Sequence, residues 1–107
     1  MNTCIIEMGS NIDPEANFEK ALSFLKSDMH VEAVSNFITT KPLGIKEQDD
    51  FLNGAVKITT ELNKKELNAY FKDIEDRLKR DRSLPKYGPR TIDLDIIVWN
   101  GTIIDND

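Results

Sequence analysis

Lys86-Tyr87-Gly88-Pro89-Arg90-Thr91-Ile92-Asp93-Leu94-Asp95-Ile96-Ile97-Val98-Trp99 reads as a loop running into a strand that carries two carboxylates. Gly and Pro at 88 and 89 break any helix, and the β-branched, apolar run from Thr91 to Trp99 has strand composition. Ile92, Leu94, Ile96 and Val98 alternate with the rest, so a side-chain period of two puts Asp93 and Asp95 together on the opposite face. Their Cα atoms are then roughly 6.5 Å apart. Carboxylates so placed can share one hard cation or hold two that bridge phosphate oxygens. Arg90, just upstream, offers a planar fork to a phosphate oxygen. An Asp-x-Asp triplet alone is usually solvated or caps a turn, but here the strand context and the preceding basic residues argue against that.

The chain has 107 residues, 39% of them hydrophobic, which suits one domain with a single two-layer core. Its formal net charge is −5, unlike the basic excess of nucleic-acid binders, so no nucleic-acid partner is expected. Arg77, Lys79, Arg80, Arg82, Lys86 and Arg90 nevertheless crowd into positions 77–90, a local cationic patch suited to a small polyanion such as a nucleotide. Some of these charges would serve a helix C-terminus equally well. Cys4 is the only cysteine, which excludes an intramolecular disulfide and reads as a small core residue. Neither a leader peptide nor a membrane-length apolar run is visible, so a cytoplasmic protein without a membrane partner is expected.

Outward from the last strand, the element order decides the fold class. Residues 3–8 read as a first strand ended by Gly9-Ser10-Asn11. Asp13-Pro14 starts a helix with Pro at its first position, and Phe18, Ala21, Leu22 and Leu25 give it one apolar face to about Asp28. Val31 to Thr39 reads as a second strand, Lys41 to Asp50 as a loop, and Leu52 to Thr60 as a third strand. His30 reads as a turn residue between helix and strand. Asn63 and Glu66 fit a capping box, and Leu67, Phe71, Ile74 and Leu78 continue that second helix to about Lys79 or Arg80. Tyr70 and Trp99 read as packing residues. Asn100-Gly101 signals a tight turn before Thr102-Ile103-Ile104. The order βαββαβ predicts an α+β, ferredoxin-like domain: four antiparallel strands with both helices on one face. That architecture names no function.

The string Gly88-Pro89-Arg90-x-x-Asp93-Leu94-Asp95-Ile96-Ile97 resembles the signature of the 6-hydroxymethyl-7,8-dihydropterin pyrophosphokinase family. Gly9-Ser10-Asn11, Thr40-Lys41-Pro42-Leu43-Gly44 and Asp50-Phe51-Leu52-Asn53 extend that resemblance over most of the chain. It implies pyrophosphoryl transfer from ATP to a pterin alcohol in folate biosynthesis, with release of AMP. It further implies a pterin pocket from Thr40, Pro42, Leu43, Gly44, Phe51 and Asn53, where Phe51 stacks on the ring and Asn53 bonds its polar edge. By the same resemblance Lys72, Arg82, Tyr87 and Arg90 contact the nucleotide, Arg80, Arg82 and Arg90 neutralise its phosphates, and Asp93 and Asp95 ligate Mg²⁺. No covalent nucleophile is required.

Lys41, Lys72 and Tyr87 depart from the family's common Pro, polar amide and Trp, and each substitute can still contact phosphate or stack. Typical members continue beyond the position of Asp107 with a segment that supplies a His, an Arg and a second aromatic. A shortened chain, a naturally short member and a non-catalytic pterin or nucleotide binder are the three expectations that follow. Monomer and homo-oligomer both stay open. An RNA-binding module is disfavoured because the strands lack its aromatic stacking motif.

Overall fold

In the computed structural model, which describes residues 1–42, 47–79, 89 and 91–104, two helices cover one face of an antiparallel sheet. The elements run β1 (Asn2–Ser10), α1 (Pro14–Asp28), β2 (His30–Val34), β3 (Ile38–Thr40), β4 (Phe51–Thr60), α2 (Lys64–Arg77), β5 (Asp93–Trp99) and β6 (Thr102–Ile103). Strand order is β2-β4-β1-β5-β6, with β3 also pairing β4. The α+β class stands, but the sheet has six strands where the sequence reading expected four.

Two local causes account for the extra strands. At Ser35 a side chain replaces a rung of the ladder: its N–H donates to the Ala55 carbonyl, while its Oγ accepts from the Ala55 N–H at 2.8 Å. The expected strand from Val31 to Thr39 therefore splits into β2 and β3. Phe37, in the gap, meets Phe18 edge to face at 4.8 Å and lies over Gly54. A Cβ at Gly54 would come within 2.6 Å of the Phe37 ring, so only glycine fits under it. The sixth strand follows from Asn100 and Gly101, whose φ values of 47° and 82° make the tight hairpin that folds β6 onto Val98 and Trp99.

Alternation on β1 builds the core. Cys4, Ile6 and Met8 face the helices and are fully buried, together with Ile58 and Val56 of β4 and Leu94 and Ile96 of β5. Burial pushes the Cys4 thiol up to about 11, consistent with an inert core residue. β1 runs on through Gly9 and Ser10, where a break was expected, because Leu52 and Asn53 continue the ladder beside them. Opposite Ile5 and Ile6 a register shift on β5 turns the last part of that strand over. Val98 therefore pairs with Ile5 on the open face and Trp99 with Cys4 against the core, correcting the reading that grouped Val98 with Leu94 and Ile96. β5 starts at Asp93 instead of Thr91, and His30 is the first residue of β2, not a turn.

α1 begins at Pro14 as expected, although Asp13 at φ 42° makes no side-chain cap. Phe18, Ala21 and Leu25 insert into the core, and α1 packs on β1, β2 and β4. In α2 the capping box is formed in both directions, Glu66 N–H donating to Asn63 Oδ1 at 2.8 Å and Asn63 N–H to Glu66 Oε1 at 3.0 Å. Its buried stripe of Leu67, Phe71 and Ile74 packs on β5. The helix stops at Arg77, short of the expected Lys79 or Arg80, because Lys79 turns left-handed at φ 64°. Tyr70 ties the helices together by donating to Asp28 Oδ2 at 2.6 Å, and burial with that carboxylate raises its phenol above the usual range. No helix among the described residues is long and apolar enough to cross a membrane.

Replacing Asn63 with Ala removes the acceptor of one reciprocal bond and should lower stability by about 1 kcal/mol. Urea unfolding followed by circular dichroism should show a lower midpoint with an unchanged slope. An unaltered midpoint would mean that the cap contributes nothing to α2.

Candidate functional site

Directly paired residues share a face of the sheet, so the ladder aligns side chains in rows across the surface that no helix covers. Asn53 of β4, Gly9 of β1 and Asp93 of β5 form one row, and Ala55, Glu7 and Asp95 form the next. Two inter-strand spacings set Asn53 and Asp93 roughly 10 Å apart. Between them stands a residue without a side chain. A Cβ on Gly9 would sit 3.3 Å from Asn53 Oδ1, so glycine keeps the gap open at this point.

On the β4 side, Thr40 pairs with Phe51 and Ile38 with Asn53. Asn53 Nδ2 donates to Thr40 Oγ1 at 2.7 Å, which fixes the amide's orientation and leaves its carbonyl directed away from Thr40. Phe51 and Asn53 are half-buried on the same strand face, and half-buried Pro42 follows Thr40. Four of the residues expected to bind pterin are thus gathered around one end of β4. Leu43 and Gly44 lie outside the described residues, as do Arg80, Arg82, Tyr87 and Arg90.

On the β5 side, Asp93 and Asp95 share the open face as the alternation required. Partial burial pushes the Asp95 carboxyl up from 3.8 to about 6, followed by the negative charge of Asp93, a hydrogen bond with it, and the charges of Glu75 and Glu7. Although Asp95 still reaches solvent, four carboxylates converge on this end of β5. Both aspartates supply hard oxygen donors, which suits a magnesium-like cation. No group of three or more His, Cys, Asp or Glu among the described residues is arranged to hold a metal, so a cation here needs further oxygens from water or phosphate.

The outer edge of β5 and the exposed side of α2 enclose a groove of about 730 Å³. Lys64, Lys65, Asn68 and Lys72 form the helical wall, with Asp95, Ile96 and Ile104 opposite. Lys72, expected to face a nucleotide, thus stands in a cavity with Asp95. A smaller adjoining space of about 400 Å³ adds Glu75 and Asp93 to its lining.

Sequence reasoning missed Glu7, Glu75, Lys64, Lys65 and Asn68. The position of Glu7 follows from the period of β1 once its register is known. Glu75 left a signal: it lies four residues after Phe71 and next to Ile74, inside the apolar stripe of α2, where a solvated Glu does not belong.

Small and α+β, the domain sets carboxylate oxygens at one end of an open sheet face and a lysine-lined groove beside them, groups whose chemistry suits a cation and a polyanion. Residues 5–105 match the family of 7,8-dihydro-6-hydroxymethylpterin-pyrophosphokinase (HPPK), and the chain belongs to that family. It is 38% identical to the bifunctional protein FolKE of Lactococcus lactis subsp. cremoris, over the whole chain and 31% of that protein's length. It is 37% identical to the 2-amino-4-hydroxy-6-hydroxymethyldihydropteridine pyrophosphokinase of Haemophilus influenzae, over the whole chain and 68% of the relative. With the protein of that name from Bacillus subtilis it shares 39% identity, over 99% of the chain and 65% of the relative. The chain therefore spans about a third of the bifunctional relative and about two thirds of the single-function ones.

The crowding of carboxylates has a consequence for stability. Asp95 binds its proton more tightly in the folded state than in the unfolded chain, so its contribution is most favourable below about pH 4 and is lost as pH rises to about 6. Without divalent cations, the Asp95 carboxyl should titrate near pH 6 by carbon-detected NMR, and Asp93→Asn should lower that midpoint. An Asp95 midpoint near 4 in the wild-type protein would refute this account of the crowding.

Proposed function

We propose that the chain carries the pyrophosphoryl transfer of its family, from ATP to 6-hydroxymethyl-7,8-dihydropterin, releasing AMP. The supporting observation is the row Asn53–Gly9–Asp93: a polar edge for a heteroaromatic and a carboxylate pair for a cation, separated by a glycine gap. In this reading Asp93 and Asp95 hold Mg²⁺, which, when bound, neutralises phosphate charge and orients the groups to be exchanged.

The protein's own share is positioning. Asn53, held by Thr40, bonds the polar edge of the pterin, Phe51 stacks on its ring, and Pro42, Leu43 and Gly44 complete the pocket. This directs the hydroxymethyl oxygen across Gly9 towards the carboxylates. That oxygen forms its bond to the β-phosphorus as the bond from the α,β-bridging oxygen to the β-phosphorus breaks, the alcohol proton is released, and AMP leaves with the electron pair. Lys72, with Lys64 and Lys65 along the same groove, draws in the polyanionic nucleotide. Arg80, Arg82 and Arg90 neutralise charge on the transferred group, and Tyr87 stacks on the nucleotide. The proposed setting is a single ferredoxin-like domain in the cytoplasm, with β2 and β3 counted as one interrupted strand and β6 as a hairpin extension.

The test is direct. Protein mixed with ATP, Mg²⁺ and the pterin alcohol should generate AMP, and Asp95→Ala should slow this by about 100-fold or more while the circular dichroism spectrum stays unchanged. Asn53→Ala should act mainly on the pterin KM. Saturable pterin binding without AMP would replace the proposal with a binding role, and equal rates for wild type and Asp95→Ala would overturn the assignment of the carboxylates.

A further inference from the structure

Glu75 is only 4% exposed, yet it is not one of the carboxylates of the open face. Its Oε2 accepts the N–H of Leu94 at 3.0 Å. Leu94 is the residue between Asp93 and Asp95. On one edge β5 is laddered to β1, without interruption from Asp93 to Ile96, with Met8 opposite Leu94. On the other edge β6 reaches only Val98 and Trp99, and Ile104 N–H adds one bond to the Ile97 carbonyl. Beside Leu94 a helix side chain takes the place that a strand would fill.

We infer that Glu75 is a positioning residue for the reaction: by holding the Leu94 N–H it keeps Asp93-Leu94-Asp95 extended, so that both carboxylates point the same way. The inference rests on the assignment of Asp93 and Asp95 as cation ligands. The contact of Glu75 with the pair runs through the Leu94 N–H, so it acts on the backbone that carries the ligands, as outer partners of metal ligands do. Its own anchorage is firm, because Phe71, one turn before it on α2, and the adjacent Ile74 are fully buried. A charged acceptor makes the bond stronger than a neutral one. What positioning requires is the acceptor oxygen, so Gln should substitute for Glu where an aliphatic side chain of similar size cannot.

Four variants and two readouts decide the matter. Amide exchange of Leu94 in the ligand-free protein reports the bond itself. The affinity for Mn²⁺ in the presence of α,β-methylene-ATP, followed by electron paramagnetic resonance, reports the carboxylate pair without any turnover. Glu75→Gln should keep Leu94 protected and Mn²⁺ affinity within a few-fold of wild type. Glu75→Leu should expose the Leu94 amide to exchange and weaken Mn²⁺ by about tenfold. Glu75→Met serves as the acceptor-free variant should the Leu substitution not fold. Asp95→Asn is the control for the underlying assignment. If Asp95→Asn loses Mn²⁺ and Glu75→Leu does not, the cation site stands and the positioning role is wrong. If Glu75→Gln loses as much affinity as Glu75→Leu, the charge and not the hydrogen bond is what matters, and the inference is likewise overturned. Unchanged Mn²⁺ affinity in Asp95→Asn would instead remove the cation assignment.

Discussion

β1 is hydrogen-bonded along both edges, and the arrangement of the open face depends on that. A strand with neighbours on each side aligns three strands into rows, so the placement of any one side chain fixes what stands two strands away. Gly9 is the residue through which this matters most. With any side chain there, the row from Asn53 to Asp93 would be filled by β1 itself. The same pairing obliges the opposite face of β1 to be apolar, and Cys4, Ile6 and Met8 meet that demand.

Where an element announces itself by periodicity or by a local hydrogen-bonding pattern, the sequence discloses it. The helix starting at Pro14, the capping box of Asn63 and Glu66, the shared face of Asp93 and Asp95 and the Asn100-Gly101 turn are of this kind. The register shift in β5 left no trace, because Ile97, Val98 and Trp99 are all apolar and fit either face. Nor could composition show that Ser35 would bond Ala55 through its side chain and split a strand rich in β-formers. At the candidate site, the family motif indicated Thr40, Asn53, Asp93, Asp95 and Lys72, and the fold gathers them at the open face and its adjoining groove. Glu7 and Glu75 needed strand register and helix packing, which no local window contains.

Carboxylate clustering sets the site against the fold. Glu7, Glu75, Asp93 and Asp95 are brought together by elements whose remaining residues pack well, so the apolar core sustains an arrangement that the charges themselves oppose. Proteins commonly hold such strain where they bind ligands of opposite charge.

The central position of β1 also governs the order in which the chain can be completed. β1 is the first of these strands to leave the ribosome, and it lies between two strands made much later. Asn100 closes the arrangement by accepting the Thr3 N–H on its side chain and donating its own N–H to the Thr3 carbonyl, a contact spanning 97 positions. During synthesis the β5 edge of β1 therefore has no mate until residues 93–99 have emerged. Such high contact order slows folding and leaves an edge strand open to mispairing in the meantime. Glu7 and Gly9, which serve the open face of the finished sheet, are a charge and a poor strand former, and on a nascent strand both discourage pairing with another chain.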